Sequence, residues 1–174
     1  MIETERLVIR EFRITDARDL YEYLSDETTY RFEPGEPIGQ EEALSIADER
    51  SKGRNFFAIE LKSEGRMIGH LYWAREEPPE FLAWEIGYIF NRTYQGKGYC
   101  SEAVRAFLGD RIAQPDVHRI NAYCNPENIA SWRVLEKAGM KREGYFRKKG
   151  FFRKDCRGMP LWFDCYAYGI LAGE

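Results

Sequence analysis

Two short segments carry residue types at spacings that can do chemistry. The first is Tyr94-Gln95-Gly96-Lys97-Gly98-Tyr99-Cys100-Ser101-Glu102-Ala103, which follows an aromatic, β-branched run and opens a helical pattern. Gly96 and Gly98 permit a backbone in which successive N–H groups converge on an anion. The helix start adds its dipole, and Lys97 offers an outer charge. This is phosphate-binding logic, although the spacing matches neither GxGxxG nor GxxxxGK[ST], and a plain tight connection is the alternative. The second segment is Asn125-Pro126-Glu127-Asn128-Ile129-Ala130-Ser131. Asn128 stands where a helix begins, as an N-cap does. A cap does not account for the second asparagine, the proline and a serine one turn on. An amide with both donor and acceptor also suits a peptide-like ligand arm.

The elements that must position these segments are legible in outline. Leu7 to Phe12 alternates as a strand, and Asp16 to Leu24 and Gln40 to Ser51 place apolar residues at helical spacing. Between them, Ser25 to Gly39 reads as a long loop. Asn55 to Leu61 and Met67 to Trp73 flank Lys62-Ser63-Glu64-Gly65-Arg66 as a hairpin. Phe81 to Phe90 is a further strand, followed by a helix over Ser101 to Ile112, a strand over Arg119 to Cys124, and a helix over Ile129 to Ala138 that Gly139 closes in a left-handed cap. Lys141 to Phe152 and Pro160 to Ile170 complete the chain as two aromatic strands. The order predicts an α/β (α+β) chain with early hairpins and a later β-α-β-α-β stretch.

Together the two segments resemble the GNAT superfamily of acetyl-CoA-dependent N-acetyltransferases. Glu85-Ile86-Gly87-Tyr88 through Tyr99 is similar to that family's central strand and pyrophosphate loop, with Gln95 and Gly98 matching the loop pattern and Cys100 departing from it. Asn128-x-x-Ser131, Glu136-Lys137-x-Gly139 and the opening Thr4-Glu5-Arg6-Leu7-Val8-Ile9-Arg10 resemble the branch that holds the ribosomal-protein N-terminal acetyltransferases. The resemblance spans Ile2 to Tyr168 and implies a single domain over residues 1–174. Its sheet would be mixed, mostly antiparallel and twisted, with a splayed parallel strand pair flanked by helices. Backbone groups near Tyr88, Ile89 and Phe90 would bind the acetyl and pantetheine amides, with a β-bulge opening the gap. The amides of Gln95, Gly96, Lys97, Gly98 and Tyr99 would hold the pyrophosphate. Asn128 and Ser131 would contact the pantetheine from the second helix.

Chemistry follows from the acetyl-CoA cosubstrate that the resemblance implies. An alkyl amine with a pKa of about 10 is mostly protonated at neutral pH, so acetyl transfer needs a base or a desolvating pocket. Glu85, at the start of the central strand, is the candidate base; a salt-bridged strand residue is the alternative. Many family members carry a tyrosine just before the Glu-Lys pair to protonate the leaving thiolate. Leu135 stands there, and Ser131 is the candidate to deliver that proton. The expected function is direct transfer to a primary amine, either a protein N-terminus or a small cationic amine. A non-catalytic acetyl-CoA-binding sensor or regulatory module is the competing expectation. Asp26, Glu27, Glu33, Glu36, Glu41 and Glu42 face a single cation, Arg31, in the loop and helix start that in the family forms one acceptor wall. An acidic wall would favour cationic acceptors.

Other residues point to less. His70 lies between Ile68 and Tyr72 on a strand and His118 precedes a strand, so a packed and an exposed imidazole are expected. Cys100 adjoins the loop rather than the reacting end, which predicts a packed thiol. Cys124, Cys156 and Cys165 form no CxxC pair with it or with one another, so neither a metal site nor a disulfide framework is expected. Of the aromatic runs Phe56-Phe57, Phe151-Phe152 and Trp162-Phe163, one or two residues are expected at the amine site. The 174 residues carry 26 basic and 29 acidic side chains, and 44% are hydrophobic, which excludes wholesale disorder. Mild acidity argues against nucleic-acid or membrane partners, and no apolar run reaches about 20 residues. The charged Met1 to Arg6 stretch lacks a signal peptide's apolar core. A cytoplasmic monomer or homodimer is the expectation, with the aromatic tail strands available to pair two subunits.

Overall fold

Alternation in the sequence becomes a sheet with two buried faces. The computed structural model describes residues 1–174. The strands are β1 (Ile2–Glu3), β2 (Leu7–Glu11), β3 (Phe56–Leu61), β4 (Arg66–Arg75), β5 (Ala83–Phe90), β6 (Arg119–Cys124), β7 (Lys141–Lys154) and β8 (Pro160–Leu171). The helices are α1 (Ala17–Leu24), α2 (Gln40–Lys52), α3 (Tyr99–Ile112) and α4 (Ile129–Lys137). All eight strands form one sheet in the order β1-β2-β3-β4-β5-β6-β8-β7. Every pairing is antiparallel except β5 with β6.

One face carries Leu7, Ile9, Leu71, Trp73, Ile86 and Ile120 against Phe107 of α3 and Leu135 of α4, within a core of 21 buried residues. The other carries Ala58 and Met67 against Leu20 and Tyr23 of α1 and Ala47 of α2. The β3–β4 hairpin turns at Gly65, whose φ is 62° and whose N–H donates to Leu61 O at 2.8 Å. Gly139, with φ 95°, ends α4 as a left-handed cap, and Met140 N–H reaches back to Leu135 O at 3.1 Å. No helix is long and apolar enough to cross a membrane.

Three features depart from the sequence expectations. Ser25 to Gly39 is not wholly irregular: Asp26 accepts from Thr28 N–H and caps a 3₁₀ turn over Glu27–Arg31. Arg10, on the polar side of an alternating strand, is buried because its guanidinium is paired with Asp16 at 2.8 Å and Glu60 at 2.7 Å. The expected bulge on β5 is absent, since its register with β4 runs unbroken from Gly69–Phe90 to Arg75–Trp84. The register shift lies between Ile59 and Glu60 of β3. β5 and β6 still separate. They pair only at Ala83–Arg119, Trp84–Ile120 and Glu85–Asn121. Beyond Glu85, β5 follows β4 while Ala122 to Cys124 of β6 follow β8, so each strand takes the twist of a different neighbour.

Candidate active site

Strand alternation decides which backbone groups face the gap. Asn91 N–H donates to Ile68 O and Glu76 N–H to Ala83 O, both at 2.9 Å, which fixes the phase of the β4–β5 ladder. Ile89, Gly87 and Glu85 therefore spend their main-chain groups on β4. Ile86, Tyr88 and Phe90 turn theirs toward β6, and beyond Glu85 no β6 partner meets them. Of the three residues expected to bind through backbone, Tyr88 and Phe90 have the right edge. Ile89 does not. Phe90 O already accepts from Gln95 Nε2 at 3.0 Å, which ties the glycine loop to the strand end.

The loop itself has the form its glycines require. Gly96 and Gly98 adopt φ of 74° and 84°, and Gly98 is the N-cap of α3. The amides of Gly96, Lys97 and Gly98 donate to nothing within the protein, and α3 begins its own ladder with Glu102 N–H to Gly98 O. Unpaired amides at a helix N-terminus fit a diphosphate. Lys97 is exposed, its Nζ 5.4 Å from the Tyr94 ring centroid. What braces this loop lies far away in the chain. Arg6 bonds Glu102 at 2.6 and 2.7 Å, donates to Lys97 O at 3.1 Å, and stacks 4.5 Å over the Tyr99 ring. Thr4 Oγ1 donates to the second Glu102 oxygen at 2.6 Å.

On the α3/α4 side of the sheet, Asn128 caps α4 by accepting from Ser131 N–H at 3.2 Å, so the cap role is filled and its Nδ2 is free of protein partners. Tyr88 Oη donates to Ser131 O at 2.9 Å and lies 3.1 Å from Ser131 Oγ. Burial first, then neighbours that include Cys100, raise the Tyr88 hydroxyl well above its ordinary range, so it keeps its proton. Cys100 packs against the core and burial pushes its thiol up, which leaves it inert. Leu135 is buried in the core and carries no proton to give. Glu136, beside it, accepts from Arg142 and Tyr168, each at 3.0 Å, and fastens the end of α4 to β7 and β8.

Glu85 lies on the opposite face, with Ala74 and Asn121 as its neighbours across the sheet. Its carboxyl is half-buried and has no hydrogen-bond or ion-pair partner. Burial and the nearby Glu76 raise its pKa, and Lys149 opposes them. Glu76 accepts from Asn121 Nδ2 at 2.6 Å. A cavity of about 550 Å³, lined in part by Glu76, Ala83, Arg119 and Asn121, opens beside it. His70 shares this face but is fully enclosed, its Nδ1 2.6 Å from Tyr23 Oη. Burial and the Arg50 charge keep the imidazole neutral, so it is a packing residue. His118 is exposed. Phe56 packs at 5.7 Å from His70 and 5.3 Å from Tyr72 on the Glu85 face, whereas Phe57 joins the α3 core. Phe151, Phe152 and Trp162 stay exposed on the tail hairpin.

Within the acidic stretch, one residue stands apart. Glu33 is half-buried, has no partner, and desolvation raises its carboxyl to about 7. Its charge acts on Tyr88 and Cys124, which lie on the two strands that part at the gap. Glu27, Glu36, Glu41 and Glu42 are exposed. Composition marked the stretch as acidic but not which carboxylate turns inward, since that depends on how the loop is pinned. Ile38 N–H holds Leu24 O at 3.0 Å, and Arg153 of β7 holds Tyr30 O at 2.8 Å.

A family model described as an acetyltransferase (GNAT) domain matches residues 6–141. An uncharacterised N-acetyltransferase of Bacillus subtilis, YnaD, is 39% identical over 99% of this chain and 98% of its own. The crystal structure of a GNAT-family acetyltransferase from Bacillus anthracis superposes with a TM-score of 0.87, at 35% identity and 99% coverage of both chains. The ribosomal protein uS5-alanine N-acetyltransferase of Escherichia coli is 29% identical over 83% of this chain and 79% of its own.

Proposed function

The chain belongs to the GNAT acetyltransferase family and is an N-acetyltransferase, and from that premise we propose that one domain over residues 1–174 moves acetyl from acetyl-CoA directly to a primary amine. The amine is a protein N-terminus, as in the uS5-alanine relative, or a small cationic amine. One observation carries the reading. The gap between β5 and β6 runs from a loop of unpaired amides to a carboxylate without a partner on one face and a hydroxyl pair on the other.

The amides of Gly96, Lys97 and Gly98 would hold the diphosphate, and Tyr88 and the free Asn128 amide would align the pantetheine arm as an added strand edge. Acetyl-CoA supplies an electrophilic thioester when bound. Glu85 removes the ammonium proton of the acceptor, directly or through a water, its raised pKa matching that task. The Tyr88 N–H, on the gap edge, meets the developing oxyanion. Ser131 Oγ, held 3.1 Å from Tyr88 Oη, relays a proton from solvent to the departing sulfur. Base and acid thus work from opposite faces, which separates amine entry from thiol departure and does without the absent tyrosine at Leu135.

The test is release of free thiol from acetyl-CoA across a panel of N-terminal peptides and small amines. Acceptor-dependent release with initial rates that vary with both substrates in a sequential pattern supports direct transfer. Binding of acetyl-CoA with no release from any amine overturns it.

A further inference from the structure

β7 does something its sequence does not announce. Phe146 pairs with Cys165 and Gly150 with Phe163, so four residues of β7 advance against two of β8. Lys148 sits at φ 50° inside this bulge; Asp164 accepts its N–H at Oδ1, 2.8 Å away, and the Tyr145 hydroxyl at Oδ2. The bulge re-aims the next side chain. Lys149 Nζ lies 5.4 Å from the Tyr123 ring centroid and 4.9 Å from that of Phe146. It has no ion-pair partner within contact, yet its charge acts on Glu85 and on Cys165 beneath it. Tyr123 Oη in turn points at Glu76, 3.5 Å away. An alkylammonium is therefore bracketed by two aromatic rings and faces the Glu85 side of the sheet.

Such rings and carboxylates are what recognises an alkylammonium ligand. We propose that Tyr123, Phe146 and Glu85 form an ammonium subsite of the acceptor groove, which Lys149 occupies in the free protein as a tethered competitor. The inference rests on the reading that the Glu85 face receives the acceptor. A second ammonium group on an acceptor displaces Lys149 and takes its place between the rings, so the tether lowers affinity for diamines more than for neutral-tailed amines. Local tethering makes the competition independent of protein concentration.

The experiment is calorimetry without acetyl-CoA, with 1,4-diaminobutane and 4-amino-1-butanol as probes. Lys149→Met is expected to tighten the diamine about threefold or more beyond any gain for the amino alcohol. Adding Tyr123→Leu to that variant should reverse the gain. Lys148→Met, which removes a neighbouring charge outside the subsite, should change neither. Equal diamine affinity in wild type and Lys149→Met, an equal gain for both probes, or the same gain from Lys148→Met overturns the proposal. Thiol release with the same two amines tests the transfer reading separately: its absence defeats that reading alone, because the binding result needs no turnover.

Discussion

Arg6 Nη2 lies 2.6 Å from Glu102 Oε2, joining the turn before β2 to the first turn of α3. The pair explains why a carboxylate is tolerated beside unpaired amides suited to a diphosphate. Unpaired, Glu102 would repel that anion; paired, and held by Thr4 as well, it is neutralised, while Arg6 fixes the loop by donating to Lys97 O. Arg6 is 40% exposed, so the pair adds little to folding stability.

Arg6→Ala is accordingly expected to weaken CoA binding about tenfold while moving the melting temperature little. Glu102→Gln placed on top should recover part of the loss, because it removes the exposed charge. Calorimetry with CoA on the two variants checks both statements. Loss in the single variant with no recovery in the double would assign the effect to loop geometry alone.

Gly98→Val attacks the loop from within. At φ 84° a β-branched residue is strained, and its Cβ would stand 3.4 Å from Arg6 Nη2. The variant should lose about 1–3 kcal/mol of stability and at least tenfold in CoA affinity. Gly98→Ala should show the smaller version of both. A folded valine variant with unchanged CoA affinity would remove this loop from cofactor binding.

Much of this was legible before the structure, and the boundary is physical. Local patterns placed the four helices, the strands from Leu7 onward, the Gly139 cap and the two loop glycines, because each follows from short-range periodicity or a required φ; the two-residue β1 is too short to show a period. Contacts between distant segments were not legible. Arg6 and Glu102 are 96 residues apart, and the Tyr88–Ser131 pair is 43 apart. The gap was expected but its cause was not: β5 has no bulge, and the separation comes from each strand's other partner. The burial of Arg10 could not be read locally either, because burial of a guanidinium depends on Asp16 and Glu60 closing around it. Lys149 lay in an undistinguished basic run whose bulge only the β7–β8 register reveals.

Glu85→Gln tests the base directly. Turnover should fall about 10²-fold with CoA affinity little changed. The deficit should shrink as pH rises and free amine becomes abundant. Burial and Glu76 raise the Glu85 pKa, so the wild-type rate should fall on acidification at a higher pH than an ordinary glutamate would give. A variant with near-normal turnover at neutral pH assigns Glu85 to packing beside Asn121.

Glu33 offers a prediction whose sign can be worked out in full. Burial raises its carboxyl from 4.5 to about 7 in the folded chain. Below the unfolded value both states hold the proton and the residue is neutral toward stability. Between the two values the unfolded chain releases its proton while the folded chain retains it, so stability falls as pH rises through that window. Above the folded value the penalty is constant. Glu33→Gln cannot ionise, so it should match wild type at pH 4 and exceed it at pH 8, by about 1–2 kcal/mol after allowing for partial exposure. Melting curves across that range check the slope. If Glu33 instead takes the acceptor's proton near Tyr88, the same variant would lose the rate inflection near neutral pH that Glu85→Gln retains, so one pH series on both variants assigns the base. Equal stability of Glu33→Gln and wild type at every pH would show the carboxylate to be hydrated in the folded chain.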